Sequence, residues 1–257
     1  MLMTYITAGF AVGLLVGMTG VGGGSLMTPL LTLLFGVSPT VAVGTDLAFA
    51  SITKSAGTIT HRFNGTVDWA IVRRLCLGAL PAALIATLIL SRYGALDAAI
   101  GQVIRYSIAG SVLLTVVALL FRRRMIAWMA ARPERQLHGR ALSTATIVCG
   151  AILGVLVTVS SIGAGAIGAT LLVLLYPKLT PAEVAGTDIA YAVPLTAIAA
   201  LGHWWLGSID WMLLLTLLIG SLPGITLGSM LARKVPERFL RALLALTLTG
   251  VAAKLVF

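Results

Sequence analysis

The chain contains few charged residues. Only 10% of its 257 residues are Asp, Glu, Lys or Arg, against about 25% in soluble globular proteins. So few charges cannot cover a water-facing surface of this size, which argues against a soluble enzyme. Hydrophobic residues make up 59% of the chain and form continuous runs, whereas a membrane β-barrel needs alternating polar and apolar residues. The composition therefore predicts an all-α polytopic membrane protein.

Cysteine is also scarce, and basic residues outnumber acidic ones. Cys76 and Cys149 both lie in apolar runs, and no Cys/His spacing is typical of a metal site. We therefore expect no metal and no cofactor. The net charge of +10 is typical of a membrane protein whose cytoplasmic loops are rich in Lys and Arg, so we expect no nucleic-acid partner. The sequence has no HExxH, GxSxG or GxxxxGK[ST] motif, so neither an enzyme nor an ATP-driven pump is expected.

Apolar stretches divide the chain into ten segments. They cover about 4–20, 25–37, 40–60, 69–91, 98–121, 141–161, 163–177, 182–203, 211–232 and 239–257. A full membrane crossing needs about 20 residues. The second and seventh stretches are shorter and each follows a Gly-rich break, so we expect half-helices or broken helices there. Eight to ten membrane segments are predicted.

The orientation follows from the basic residues. The loop 122–140 contains six arginines and one Glu, and cytoplasmic loops are enriched in such residues. We expect this loop in the cytoplasm and the protein in the inner (plasma) membrane, in contact with the lipid bilayer. The predicted organisation is a first membrane repeat over 1–121, a basic cytoplasmic linker over 122–140 and a second membrane repeat over 141–257.

The two halves repeat at an offset of 142 residues. Residues 39–81 and their partners share 14 identities in 43 positions, and these include His, Trp and Asp, which are rare in this chain. Each half holds five apolar segments. Because five is odd, the second half should enter the membrane in the opposite orientation, which is an inverted-topology repeat. Secondary transporters commonly have this architecture, with the substrate bound near the midplane where interrupted helices meet.

The Gly-rich breaks are candidate substrate-binding elements. Glycine allows the backbone to leave the helix, and the N–H groups at the start of the next half-helix can bind an anion. Hydroxyl groups nearby add hydrogen-bond donors. On this argument the candidates are Gly22, Gly23, Gly24, Ser25 and Thr28 in the first half and Ser161, Gly163 and Gly165 in the second. Close packing of helices through small residues is the alternative interpretation.

Asp46 and Asp188 lie at equivalent positions in two predicted helices. Each is about seven residues into a helix that opens with Ser-Pro or Thr-Pro, and Thr180 with Glu183 fits a capping box. Seven residues of helix extend about 10 Å, so both carboxylates should lie within the hydrocarbon zone. Acids in that position are costly and usually functional. We predict that they carry protons, or alternatively that they form structural ion pairs.

Three further residues are candidate charge partners or gates. Lys54 lies eight residues after Asp46 on the same predicted helix, so it could bind an anion, pair with Asp46, or extend toward the interface. His61 and His203 end the third segment of each half and could shuttle protons or gate the site, although a histidine at a helix end near the interface more often has a structural role.

The chain resembles the sulfite exporter TauE/SafE family of membrane transporters. The resemblance rests on "GMTGVGGGSLMTPLLTLLFGVSPTVAVGTDLA" in the first half, and on "VSSIGAGAIGATLLVLLYPKLTPAEVAGTDIAYAVPLT" and "GSIDW" in the second. It implies a transporter for small sulfur-containing anions such as sulfite or sulfonates, driven by an ion or proton gradient. It also implies that the glycine breaks, Thr45 and Thr187 lie near the substrate site.

The sequence departs from the family pattern after each Gly-Thr pair. The family more often has a small hydroxyl residue there, whereas this chain has Asp46 and Asp188. Two acids beside an anion site would repel the substrate unless they are protonated or paired. We therefore predict proton-coupled transport, with export more expected than import. The alternatives are a cation transporter or channel with both acids as ligands, or a non-transporting membrane assembly factor. The sequence leaves open whether the protein forms a homo-oligomer.

Overall fold

The structure is a computed structural model that describes residues 2–19, 24–93, 98–130 and 136–232. This part of the chain contains nine helices and no strand, which confirms the predicted all-α class. The helices are α1 Leu2–Thr19, α2 Gly24–Leu34, α3 Pro39–Phe63, α4 Trp69–Tyr93, α5 Ala98–Ala130, α6 Gly139–Ser160, α7 Ala166–Leu175, α8 Pro181–Trp205 and α9 Trp211–Ala232. The predicted apolar segment 239–257 lies outside the described residues.

Five of the described helices are long and apolar enough to cross a membrane: α4, α5, α6, α8 and α9. Their outward faces carry exposed aliphatic residues, for example Leu77, Leu84, Ile85 and Leu88 on α4. A contiguous apolar surface of this kind would be costly in water and is suited to lipid. The prediction of a multi-pass membrane protein is confirmed at this level.

The helix α3 differs from these five because it is polar and central. It has the same length as α8, 25 residues, but it contains Asp46 and Lys54 in its buried part. It packs against α8 and also contacts α2, α5, α6 and α9. The surrounding helices thus keep these polar side chains away from lipid.

The two short helices lie where the sequence predicts them. The helix α2 has 11 residues and α7 has 10, so at 1.5 Å per residue neither reaches across a hydrocarbon core of about 30 Å. Before α7 the backbone leaves the helical conformation, with φ of 58° at Ser161, 135° at Gly163 and 139° at Gly165. The last two values are accessible essentially to glycine alone, which explains why the break is Gly-rich.

Small residues bring the long helices close together. The helix α1 packs against α9, and α4 packs against α6. A Cβ atom at Gly78 would overlap the carbonyl oxygen of Ile147, and one at Gly220 would overlap that of Ile6. Glycine is therefore required at both contacts. Because these glycines are 142 residues apart, the two contacts are equivalent in the repeat.

One boundary differs from the prediction. The sequence analysis begins a loop at residue 122, but α5 continues without interruption to Ala130. Arginine and methionine are good helix formers, and no proline or glycine occurs between Gly110 and Pro133 to end the helix. The arginines at 122–124 therefore lie on the last turns of a helix rather than in a loop. Residues 131–135 of the predicted linker are outside the described residues.

Candidate functional site

Three charged residues are buried where α3 and α8 meet. The exposed fractions of Asp46, Lys54 and Asp188 are 0%, 7% and 4%. Lys54 lies within electrostatic reach of both carboxylates. Two acids and one base are thus enclosed together. Buried charges of this kind are stable only when they compensate one another, so the three side chains form one unit.

Asp46 is held by a residue of the first short helix. The Thr28 hydroxyl on α2 donates a hydrogen bond of 2.5 Å to Asp46 Oδ2. Short O–H to carboxylate bonds are among the stronger hydrogen bonds in proteins. Thr28 is itself completely buried. The structure therefore brings the predicted binding residue Thr28 and the predicted proton carrier Asp46 together.

Lys54 connects this unit to the second glycine break. Its Nζ donates a 3.0 Å hydrogen bond to the backbone oxygen of Ala164, which lies between Gly163 and Gly165. The Ser161 hydroxyl, at the start of the same break, lies beside the Asp46 carboxylate, although outside hydrogen-bond geometry. Side chains of the first half therefore meet the break of the second half at one place.

The second break is partly closed by its own hydrogen bonds. The N–H of Gly168 donates to the oxygen of Gly163 at 2.9 Å, and that of Ala169 donates to the oxygen of Gly165 at 2.8 Å. Ser161 and the residues from 162 to 168 are all buried. The predicted candidates Ser161, Gly163 and Gly165 thus form a compact buried segment next to Lys54.

The first break is described only in part. Gly22, Gly23 and the side chain of Ser25 lie outside the described residues, while Gly24 begins α2. Their predicted role in binding therefore stays a prediction.

Thr45 and Thr187 connect the two halves. The Thr187 hydroxyl accepts a 3.0 Å hydrogen bond from the backbone N–H of Asp68. The Thr45 hydroxyl accepts a 3.1 Å hydrogen bond from the backbone N–H of Asp210. The two bonds are equivalent under the 142-residue offset, and each joins one half to the other. Both threonines lie next to the buried acids in sequence, and one lone pair of each hydroxyl accepts from the backbone at the start of a neighbouring helix; their role near the substrate stays a prediction.

The two histidines have related but unequal surroundings. His203 is completely buried; its Nδ1 lies 3.0 Å from Ser208 Oγ and its Nε2 lies 3.0 Å from the oxygen of Thr158. A carbonyl only accepts hydrogen bonds, so Nε2 carries a proton. His61 Nδ1 lies 2.8 Å from Thr66 Oγ1, and this histidine is half-buried. Through Nδ1, each histidine connects the end of its helix to the turn that follows. Through Nε2, His203 also contacts α6.

The sequence analysis missed Tyr191. It is completely buried, and a Cβ atom added to Gly168 would lie 3.0 Å from its hydroxyl oxygen and would overlap Asp188 Oδ1. Tyr191 and Asp188 therefore lie against the same glycine of α7. The spacing of three residues from Asp188 places both on one helix face, and that spacing is a signal that could have identified Tyr191.

Several buried polar atoms at this place lack a hydrogen-bond partner in the part of the chain that is described. They include Asp46 Oδ1, Ser161 Oγ and the Tyr191 hydroxyl. Buried polar atoms in proteins are nearly always hydrogen-bonded, and leaving one unsatisfied costs about 1–3 kcal/mol. A group of them around one segment is typical of a site that receives a ligand.

Comparisons with known proteins agree on the class of protein. The family model described as "Sulfite exporter TauE/SafE" matches residues 5–255. The probable membrane transporter protein YjnA of Bacillus subtilis is 36% identical over 261 residues, covering 100% of both chains. The probable membrane transporter protein YdhB of the same organism is 28% identical over 250 residues, covering 95% of this chain and 96% of the relative. No solved structure gives a significant match.

Proposed function

The chain belongs to the sulfite exporter TauE/SafE family of membrane transporters, and from that premise we propose that it carries a small sulfur-containing anion in exchange for, or together with, protons. The observation that carries this proposal is the buried unit of Asp46, Lys54 and Asp188 beside the second glycine break. The transported species are the anion and protons, and no cofactor takes part.

Lys54 favours an anion as substrate over a cation. A cation liganded by Asp46 and Asp188 would have to enter beside the ammonium group that lies near both carboxylates. Two like charges about 4 Å apart repel by about 4 kcal/mol in surroundings of intermediate polarity. An oxyanion, by contrast, can take the place of a carboxylate as the partner of Lys54. The alternative of a cation transporter is therefore the weaker one.

The excess of acid over base supports proton coupling. When all three side chains are ionised, the unit carries one net negative charge, and an entering anion would add to it. Protonating one carboxylate removes that repulsion and frees Lys54 to pair with the substrate. Asp46 and Asp188 are thus the proton carriers, and an anion and a proton occupy the site together. This thermodynamic linkage couples the anion gradient to the proton gradient.

The repeat supports alternating access. The helices α3 and α8 begin and end exactly 142 residues apart, and the packing of α1 on α9 has its equivalent in the packing of α6 on α4. Halves related in this way can exchange conformations, which would open the site to one side and then to the other. With the basic region after residue 121 in the cytoplasm of a bacterial inner membrane, export is the proposed direction, driven by an outward anion gradient that carries the bound proton outward with the anion.

The test is sulfite flux into and out of proteoliposomes with an imposed pH gradient. We expect the wild-type flux to follow the gradient, and Asp46→Asn and Asp188→Asn each to abolish the gradient-driven part. Glu183→Gln is a matched control, because Glu183 is a partly exposed acid at the start of α8 that accepts from the N–H of Thr180, and glutamine can still accept that bond. Size-exclusion elution and thermal midpoint establish that each variant is folded. Normal gradient-driven flux in both asparagine variants would contradict the proton role.

A further inference from the structure

Some polar residues that recur at the 142-residue offset make contacts that support the fold. Thr45 and Thr187 accept hydrogen bonds from the backbone of Asp210 and Asp68. Asp68 and Asp210 each accept a hydrogen bond from the backbone N–H three residues later, at the start of α4 and α9. Each of these contacts appears twice, once in each half. They maintain the geometry of a duplicated scaffold.

Three of the polar residues that differ from their partner at this offset lie at the second break. Lys54 corresponds to Thr196, Tyr191 corresponds to Phe49, and Ser161 corresponds to Thr19. All three meet the second break: Lys54 donates to Ala164, Ser161 belongs to the break, and the Tyr191 hydroxyl lies against Gly168 at the start of α7. Three departures from the repeat therefore meet at this one place.

These residues form a set of hydrogen-bond donors. The ammonium of Lys54 has three N–H groups, of which one is directed to Ala164. The hydroxyls of Ser161 and Tyr191 are buried and have no partner among the described residues. The contrast with Thr196 is informative, because that equally buried hydroxyl donates to the oxygen of Ala192 on its own helix. Among the described residues, the hydroxyls of Ser161 and Tyr191 at the break therefore differ from that of Thr196 in having no such acceptor.

We infer that the substrate binds asymmetrically, at the second glycine break, where Lys54, Ser161 and Tyr191 donate hydrogen bonds to its oxygen atoms. This inference rests on the proposed function. The three donors suit a group with three equivalent oxygens, which sulfite and the sulfonate group both present, whereas a carboxylate presents two. Tyr191 is then a specificity-determining residue, and from the described part of the first half Lys54 contributes to this site.

The test compares Tyr191→Phe with Thr196→Val in proteoliposomes. Phenylalanine removes only the hydroxyl, and Phe49 occupies the equivalent buried position of the first half, so the variant is expected to fold. We expect the KM for sulfite to rise about tenfold or more, because a hydrogen bond to a charged group is lost, while the maximal rate changes little. Thr196→Val removes a hydroxyl from the same helix that is already satisfied, and it should leave the KM unchanged.

A second variant and a second anion separate the outcomes. Ser161→Gly removes the other hydroxyl and suits the left-handed backbone at that position, where φ is 58°; it should also raise the KM. Methanesulfonate should compete with sulfite if the site recognises the three-oxygen group, and its failure to compete would restrict the substrate to sulfite itself. An unchanged KM in Tyr191→Phe, or an equal rise in Thr196→Val, would overturn the asymmetric site while leaving transport intact. If the wild-type protein moves neither anion, the proposed function fails, and this inference fails with it.

Discussion

Removing the charge of Lys54 is the most direct probe of the buried unit. Methionine has a similar length and no charge, so Lys54→Met keeps the packing and removes the partner of two carboxylates. The ammonium is 7% exposed and interacts with both Asp188 and Asp46. After the substitution these acids remain in a buried position without a compensating charge. We therefore expect a large loss of stability.

The magnitude follows from measured cases of broken buried pairs. Removing one partner of a buried ion pair costs about 3–5 kcal/mol. For a chain of this size, 1 kcal/mol shifts the thermal midpoint by about 2–4 °C. The expected decrease of the midpoint is thus roughly 6–20 °C. Lys178→Met is the matched control, because Lys178 is exposed, and exposed substitutions usually change stability by no more than about 0.5 kcal/mol.

A double-mutant cycle assigns the effect to the charges. Lys54→Met combined with Asp188→Asn removes the lysine together with the acid that approaches it from the facing helix α8. We expect the double variant to be more stable than the sum of the single effects predicts, with a coupling energy in the range of roughly 0.5–3 kcal/mol. The same cycle with Asp46→Asn should give a smaller coupling, because Asp46 is also held by Thr28.

The assay is thermal unfolding of purified protein in one detergent at fixed pH, followed by loss of the monodisperse size-exclusion peak. Two results would refute the reasoning. In the first, Lys54→Met is as stable as Lys178→Met, which would mean that the acids do not depend on the lysine. In the second, neither asparagine substitution restores stability, which would mean that the loss arises from packing and not from charge.

Two further predictions concern the scaffold. Thr187→Val leaves the backbone N–H of Asp68 without its acceptor, so the thermal midpoint should fall by an amount equivalent to about 1–3 kcal/mol; Thr45→Val should do the same at Asp210, and the two losses should add, because the bonds share no atoms. Equal stability of these variants and the wild type would contradict the role of the threonines as links between the halves. Gly78→Ala places a Cβ atom against the carbonyl of Ile147 and should destabilise the packing of α4 on α6, whereas Gly110→Ala on α5 meets nothing within 4 Å and should be neutral or stabilising by up to about 1 kcal/mol. The same unfolding assay measures both, and an equal response to the two alanines would show that close approach of the helices is not what selects glycine at position 78.

Local signals in the sequence were sufficient to predict most of the helices. The start of α8 is an example: Thr180 accepts from the N–H of Glu183, the Glu183 carboxylate accepts from the N–H of Thr180, and Pro181 occupies the first turn. All three residues act within four positions of one another. The break before α7 was predictable for the same reason, because its glycines adopt positive φ through local sterics alone. The end of α5 was not predictable from local signals, because arginine itself does not end a helix.

The contacts of the candidate site depend on residues far apart in the chain. Lys54 binds the oxygen of Ala164, 110 residues away, and the sequence alone left open whether this lysine pairs with Asp46 or reaches the interface. Thr45 and Thr187 were expected beside the substrate, yet each hydroxyl accepts from a backbone N–H of the other half. A hydroxyl in a helix can serve either purpose, and only the tertiary packing decides which backbone group comes within reach.

An internal repeat helps to distinguish residues that support the fold from residues that bind the substrate, because each position can be compared with its equivalent in the other half. Some positions that keep their residue in both halves make the same contact twice, as Gly78 and Gly220 do against α6 and α1. A substrate without two-fold symmetry cannot use both halves in the same way, so its ligands must differ between them. In this chain the lysine and the tyrosine that break the repeat are both buried against the same short segment. In a duplicated transporter, therefore, the polar residues without an equivalent in the other half are the first to examine for substrate binding.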